Sequence, residues 1–575
     1  MAEVLRVGNC SGFYGDRLTA MREMLEGGPL DVLTGDYLAE LTMLILGKDQ
    51  LKDPSLGYAR TFLTQLEDCL GLALEKGVRI VANAGGLNPA GLAAKIAEVA
   101  AGAGLSPRIA WVDGDNLTPR ADELGLRNAL TANAYLGAFG IGRALQEGAD
   151  VVVTGRVTDA SLVVGPGIWR FGWSPTSYDE LAGATVAGHV IECGTQATGG
   201  NFSGFLGLAR DATPLGFPIA EVAADGSSVI TKHPGTGGVV SVDTVTAQLL
   251  YEVQSTHYLG PDVTTDLASI RLTGEGPDRV RISGVRGSAP PERLKVCVNE
   301  LGGWRNQMEF VLTGLDIEEK AAWLRTQLET RLSADPPAVV EWSLGQLPEP
   351  DADTEEGASC LLRVSVKDSD AAKVGKAFSA AAVELALASY PGFTLTAPPG
   401  RGSPYGIYRP EYVDRAEVQE LVHLVGSDEA FGVPASPEPA DRPEDTPAPA
   451  TKTELVHDAP KVSMPLGTFV HARSGDKGGD ANVGLWVGSE EPDKRAARVT
   501  WLLRVVTPDQ VRQWLPETER LDVEVHPLPN LGGVNVLIRG LLGEGVAAST
   551  RFDPQAKAVG EWLRARHVHI PQELL

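Results

Sequence analysis

Short apolar runs alternate with amphipathic stretches through the first 200 residues of the chain. Val4 to Val7, Asp31 to Thr34, Arg79 to Ala82, Arg108 to Val112 and Ala149 to Val153 read as strands. They are short, rich in β-branched residues and nearly all apolar, as strands covered on both faces must be. Between them the apolar spacing predicts helices. One is capped by Asp16 and turns Leu18, Met21, Met24 and Leu25 inward. A second opens at Asp53-Pro54, with proline at the first helical position, and closes near Gly77. Two more span Ala90 to Ala101 and Ala132 to Glu147. Such alternation predicts an α/β fold, with a mostly parallel sheet flanked by helices, over residues 1–290.

The pattern changes after that point. Strands at Leu294 to Val298, Glu309 to Leu312, Val339 to Ser343 and Leu361 to Val366 alternate with helices at Ile317 to Leu332 and Ala371 to Ala388. The succession predicts a ferredoxin-like α+β region over 291–432. Residues 433–460 are acidic, rich in proline and poor in large apolar side chains, so they read as a linker. A separate α+β module of the same kind is expected at 461–575.

Composition narrows the function classes. Apolar residues make up 43 % of the 575, enough for sizeable cores. The net charge of −25 argues against nucleic-acid binding, which needs a basic footprint. No leader with a charged start and apolar core opens the chain, and no run spans a membrane, so a cytoplasmic protein without membrane contact is expected. The cysteines Cys10, Cys69, Cys193, Cys297 and Cys360 are scattered and form neither a zinc pattern nor a disulfide framework.

Candidate chemistry sits in loops of Gly, Asn, Asp, Thr and Ser beside the apolar runs. Loops at the carboxyl ends of strands form the ligand crevice of an open α/β sheet. The first holds Asn9, Cys10, Ser11 and Gly12. It lacks the dinucleotide-binding glycine spacing, yet its amides could hold a phosphate or carboxylate, and a thiol near a helix start has a lowered pKa. A second holds Asn83, Gly85 and Gly86. In a third, Arg156 offers a planar fork to an anion, with Thr158 alongside and Asp159 as a base or as the partner that orients the arginine. Glu192, followed by Cys193, Gly194 and Asn201, could move a proton at carbon, or Cys193 could attack a thioester. Lys232 and His233 open a fifth loop. In the last module Arg473, Asp476, Lys477 and Asp480 form a charged segment that is not a Walker A loop. Each feature has a plainer reading as well: a core cysteine, an Arg–Asp pair, a surface histidine, a charged hairpin. Asp36, Asp113 and Asp115 have the placement of Mg²⁺ ligands but read better as helix caps, and no metal or separate cofactor is expected.

Several of these segments resemble one family. They are the loop Gly8 to Asp16, Asp36-Tyr37-Leu38-Ala39-Glu40, Asn83 to Gly86, Thr154 to Ala160 and Glu192 to Gly194. Together with Ala472 to Asn482 they are similar to the acyclic terpene utilisation (AtuA) family and its appended ferredoxin-fold domain. The resemblance implies catabolism of branched or terpenoid acids through CoA thioesters, with the CoA entering as part of the substrate. The expectation that follows is a homo-oligomeric enzyme, a lyase adding or removing water next to a thioester carbonyl. A cysteine-dependent thioester hydrolase or transferase and a non-catalytic CoA-binding or assembly subunit are the alternatives.

Overall fold

The five apolar runs form the centre of one large sheet. In the computed structural model, which describes residues 3–434, 438–440 and 460–575, they lie side by side. The order is Val4–Asn9, Val32–Gly35, Arg79–Ala82, Val151–Thr154 and Ile109–Asp113, with each neighbouring pair parallel. Antiparallel strands extend this α/β centre on both sides to 11 strands. Pro218–Ala223 and Ser228–Lys232 continue it next to Val4–Asn9, and Leu421–Leu424 pairs with Ile109–Asp113. Of the acidic stretch at 433–460, residues 435–437 and 441–459 lie outside the described residues.

Three helix expectations change, each for a local reason. The first helix starts at Ala20, and the Asp16 carboxylate instead accepts the backbone N–H groups of Gly12 at 2.9 Å and Arg17 at 2.8 Å. Asp53-Pro54 does not open a helix. It separates Glu40–Lys52 from Arg60–Lys76, because Asp53 accepts the Ser55 N–H and the chain turns through Gly57 at φ +107°. Within the helix expected at Ala132 to Glu147, only Phe139–Gln146 is helical. Thr131–Ala134 is a strand, drawn into antiparallel pairing with Val296 to Asn299.

The chain packs as two compact units that do not follow chain order. One comprises Met1–Asn299, Tyr408–Val546 and Gln555–Leu575; the other comprises Glu300–Ile407 and Ala547–Pro554. The second unit is a ferredoxin-like sandwich. Its sheet runs Thr394–Leu395, the later part of Arg293–Thr313, Ser359–Asp368 and Val339–Leu344, all antiparallel. Arg293–Thr313 and Ser359–Asp368, first and third in the chain, are central, as in interleaved βαβ units, and Ile317–Leu332 packs its buried Leu324 and Leu328 against them.

The C-terminal domain belongs to the first unit. Its sheet runs Val470–Lys477, Asp480–Val487, Gly533–Ile538 and Val523–Leu528, with helices Pro492–Val505, Pro508–Trp514 and Val559–Ala565. It has its own core around Leu485, Leu502 and Val536, but Trp486, Leu528 and Leu531 join the core of the large sheet. Alternate residues of Asp480–Val487 point one way, so Asn482, Gly484 and Trp486 share a face. That face lies on the segment 250–253. Trp486 Nε1 donates to Asp243 at 3.2 Å, and a Cβ at Gly484 would overlap Leu250. A Cβ at Gly475 would likewise overlap the Tyr251 ring. Gly475→Ala should therefore cost about 1–3 kcal/mol by overpacking. A chemical-denaturation midpoint unchanged from the parent would contradict that close approach. Among the described residues, no helix is long and apolar enough to cross a membrane.

Candidate active site

The polar loops meet where the parallel strands end. Asn9, at the end of Val4–Asn9, donates from its amide nitrogen to the carbonyls of Ile191 at 2.6 Å and Glu192 at 3.0 Å. Gly12 brings its loop so close that a Cβ there would lie 2.6 Å from the Cys193 carbonyl carbon. Asn83 donates to Asp36 at 2.6 Å and accepts the Tyr37 N–H at 2.8 Å. These buried amides tie one strand end to the end of a helix and another to the loop after its neighbouring strand, and set the frame for the charged groups.

Glu192 ends a helix, not a strand. Tyr178–Ile191 is buried over almost its whole length, and His189 and Glu192 share a face at spacing i, i+3. His189 Nδ1 lies 2.9 Å from Glu192 Oε1, and Nε2 lies 3.0 Å from the Tyr251 carbonyl. A carbonyl only accepts, so Nε2 carries the hydrogen and one proton is shared between Nδ1 and Oε1. Burial, with Asp159 and Glu252 adding negative charge, outweighs His189 and pushes the Glu192 carboxyl up to about 7. Glu192 Oε2 is buried and has no hydrogen bond among the described residues, nor has the buried Tyr408 hydroxyl.

Cations and anions from distant segments surround this pair. Arg156 holds Asp159 at 2.6 Å and stacks 4.4 Å from the Tyr135 ring. Lys295 lies 4.7 Å from the same ring and 3.8 Å from Glu40. Burial would raise the Glu40 carboxyl, but Lys295, Arg156 and Lys477 hold it down to about 2. Lys477 makes no ion pair among the described residues. Burial alone would lower it, yet Glu252, Glu40, Asp159 and Glu192 around it raise it. Asp476 meets Lys557 at 3.3 Å, and Lys557 also reaches the Tyr251 hydroxyl. Arg473 stacks 4.3 Å from the Tyr251 ring and donates to Gln196. Asp159, Glu40, Lys295 and Lys557 keep 23–36 % of their side-chain surface open.

The remaining loop residues have other partners. Ser11 accepts the Asp36 N–H through its carbonyl and donates from its hydroxyl to Phe13. Thr158 bonds Ser161 at 2.6 Å, at the start of Ser161–Phe171. A Cβ at Gly85 would lie 2.5 Å from the Thr154 carbonyl oxygen, and Gly86 sits at φ +55°, so both serve close packing of the strand end. Gly194 and Asn201 take left-handed turns at φ +60° and +55°, with Asn201 exposed. Lys232 and His233 lie outside the cluster: Lys232 bonds the Thr236 carbonyl and pairs with Asp278, and His233 meets the Met24 carbonyl against Gly27 and Gly28. Asp480 pairs with Arg539 and the Gly540 N–H at the hairpin end. Cys10 is buried ten residues before the first helix, and burial raises its thiol instead of a helix start lowering it. Burial and the Glu252 and Glu192 carboxylates also raise the Cys193 thiol well above its ordinary value, so it stays protonated.

His189, Tyr135, Tyr251, Glu252, Lys295, Lys557 and Tyr258, whose ring centre lies 5.4 Å from that of His189, join the site without having stood out in the sequence. Only His189 left a local trace, the His-x-x-Glu spacing on an apolar helix. Asp36 and Asp115 act as acceptors for Asn83 and for the Arg156 N–H, and Asp113 pairs with His423. Among the described residues, no group of three or more His, Cys, Asp or Glu side chains is placed to hold a metal ion. A cavity of about 340 Å³ opens elsewhere in this unit, lined in part by Asp262, Arg415 and Glu420, and none of the cluster residues lines it.

Arg156 is the test of anion recognition. Arg156→Lys keeps the charge but loses the planar fork, so the Kd for an anion held by these cations should rise about tenfold to a hundredfold, since hydrogen bonds to charged groups contribute about 1.5–3 kcal/mol. An unchanged Kd with a lowered melting temperature would make Arg156 purely structural.

The arrangement can hold an anion on several cations and present one carboxylate oxygen for proton transfer. A family model described as acyclic terpene utilisation family protein AtuA matches residues 5–424. The AtuA ferredoxin-like domain matches residues 464–569. Comparison with curated proteins and with solved structures finds no match. The first of these family matches takes in most of the chain and every strand of the parallel centre, and the second takes in the domain that supplies Arg473, Asp476, Lys477 and Lys557. This chain belongs to the acyclic terpene utilisation family, AtuA, and carries that family's ferredoxin-like domain at its C-terminal end.

Proposed function

We propose that the protein is an enzyme of branched-chain or terpenoid acyl-CoA breakdown, acting on an acyl-CoA or a related carboxylate as a lyase. Glu192 is the base. Its Oε2 takes the proton from the carbon next to the carbonyl while His189 holds Oε1. The observation that carries this reading is a buried carboxylate with one oxygen engaged by a histidine and the other without a partner. Lys477 supplies positive charge where the enolate oxygen develops, as preorganised donors do in acyl chemistry. Asp159, whose carboxyl burial also raises, is the group to protonate a departing hydroxyl. The protonated state of Cys193 weighs against a thioester nucleophile.

Proton abstraction can be read without knowing the final product. A panel of branched and straight acyl-CoAs incubated with the protein in D₂O should exchange hydrogen at the carbon next to the thioester. The exchange rate should rise with pH through about 7, because Glu192 must be unprotonated to act. No exchange in any member, with thiol release instead, would replace this reading by hydrolysis.

A further inference from the structure

Two asparagines of the C-terminal domain grip the backbone of the segment that faces His189. Asn482 Oδ1 accepts the Glu252 N–H at 2.7 Å. The Asn482 amide nitrogen donates to Asn535 Oδ1, and Asn535 Nδ2 donates to the Val253 carbonyl at 2.9 Å. Both side chains are fully buried. The bonds run in one direction, from an N–H through two amides to a C=O, which fixes the orientation of each amide. Glu252 is held at φ +59°, a left-handed conformation that a residue with a side chain keeps only when its surroundings hold it there. The preceding carbonyl, that of Tyr251, is the one that accepts His189 Nε2–H.

We infer that Asn482 and Asn535 are positioning residues, which aim the Tyr251 carbonyl at His189 and so keep one ring hydrogen on Nε2, leaving a separate proton to be shared between Nδ1 and Glu192 Oε1. A carbonyl turned away from His189 would leave Nε2–H without its acceptor in a buried site. The imidazole would then gain by moving its hydrogen to Nδ1 and donating to Glu192 Oε1. The proton-holding pair therefore depends on a domain that begins more than 200 residues further along the chain. The consequence for turnover rests on the reading of Glu192 and His189 as the proton-transfer pair; the geometry does not.

The test uses the full chain with ring-labelled ¹⁵N-histidine, and His189 assigned by the signal lost in His189→Gln. In the parent, His189 should show the Nε2–H tautomer. In Asn482→Ala the His189 signals should move to a mixture of tautomers, and exchange at the substrate carbon should slow about tenfold. Asn530→Ala is the control. It removes two bonds of the same domain, to the Leu267 and Ile270 carbonyls at 2.9 Å and 3.0 Å, but none to residues 251–253. It should leave the His189 signals unchanged. Should Asn482→Ala not fold, Asn535→Ala, which frees the Val253 carbonyl and the Asn482 amide nitrogen but leaves the bond from the Glu252 N–H, is read in the same way. An unaltered His189 in the variants of the pair, or an equal change in Asn530→Ala, would overturn the inference. A tautomer change in a protein that exchanges no substrate hydrogen would uphold it and remove the proton-transfer reading.

Discussion

Glu192→Gln is expected to slow hydrogen exchange and turnover by about 10²- to 10⁴-fold, the usual worth of a positioned base. The substitution keeps the side-chain volume and can still donate to His189 Nδ1. It also removes a negative charge that Asp159 and Glu252 oppose, so the melting temperature should not fall. The rise of activity through about pH 7 should vanish with the carboxylate. Cys193→Ser and Cys10→Ser should keep most of the activity, since neither thiol is held as a thiolate. Near-parental rates in Glu192→Gln, or inactivation by alkylating one cysteine with protection by substrate, would sink the assignment.

The second large effect concerns the C-terminal domain. A chain ending at 432 lacks Arg473, Asp476, Lys477 and Lys557, and it uncovers the core surface that Trp486, Leu528 and Leu531 complete. Its activity should fall below detection, and it should self-associate through the uncovered apolar surface. A full chain carrying an inserted protease site near residue 447 should behave differently once cut. Its pieces should elute together and keep their activity, because the docking contacts need no covalent link. They include the Asn482–Asn535 chain, Trp486 on Asp243 and the stacking of Phe202 on His471 at 5.2 Å. Full activity of residues 1–432 alone would show that the domain is not part of the site.

How far the sequence could be read follows from how local each feature is. The parallel strands were legible because each is an apolar, β-branched run bounded by its own turn residues. Ile317–Leu332 was legible to the residue, since its buried positions Ile317, Ala321, Leu324, Leu328 and Leu332 recur at helical spacing from end to end. Thr131–Ala134 was not. Its residues suit a helix equally well, and only the partner strand at 296–299 decides between the two. Glu40–Lys52 exposes Leu41, Ile45 and Leu51 while burying Met43, Leu44 and Leu46, so no clean apolar face announced it. Within the site, Arg156, Asp159, Glu192 and Lys477 stood out because glycines and hydroxyl residues flank them. Lys295, Glu252 and Lys557 are single charged residues in ordinary surroundings, and only the folded chain brings them beside Glu40, Lys477 and Asp476.

The order in which the chain is made bears on the division into units. The backbone passes between them at 299/300, 407/408, 546/547 and 554/555, so neither unit is complete until residues beyond 546 have emerged. Arg305 waits for the carbonyls of Ala547 and Ser549, at 2.9 Å and 3.2 Å, from residues synthesised more than 240 positions later. Asp243 waits as long for Trp486 and Ser489. Domain-by-domain folding during synthesis is closed to such a chain, and closing loops of this length is slow. Refolding from denaturant should accordingly pass through a long-lived, collapsed species with unfinished apolar surface, and its yield should fall steeply as protein concentration rises.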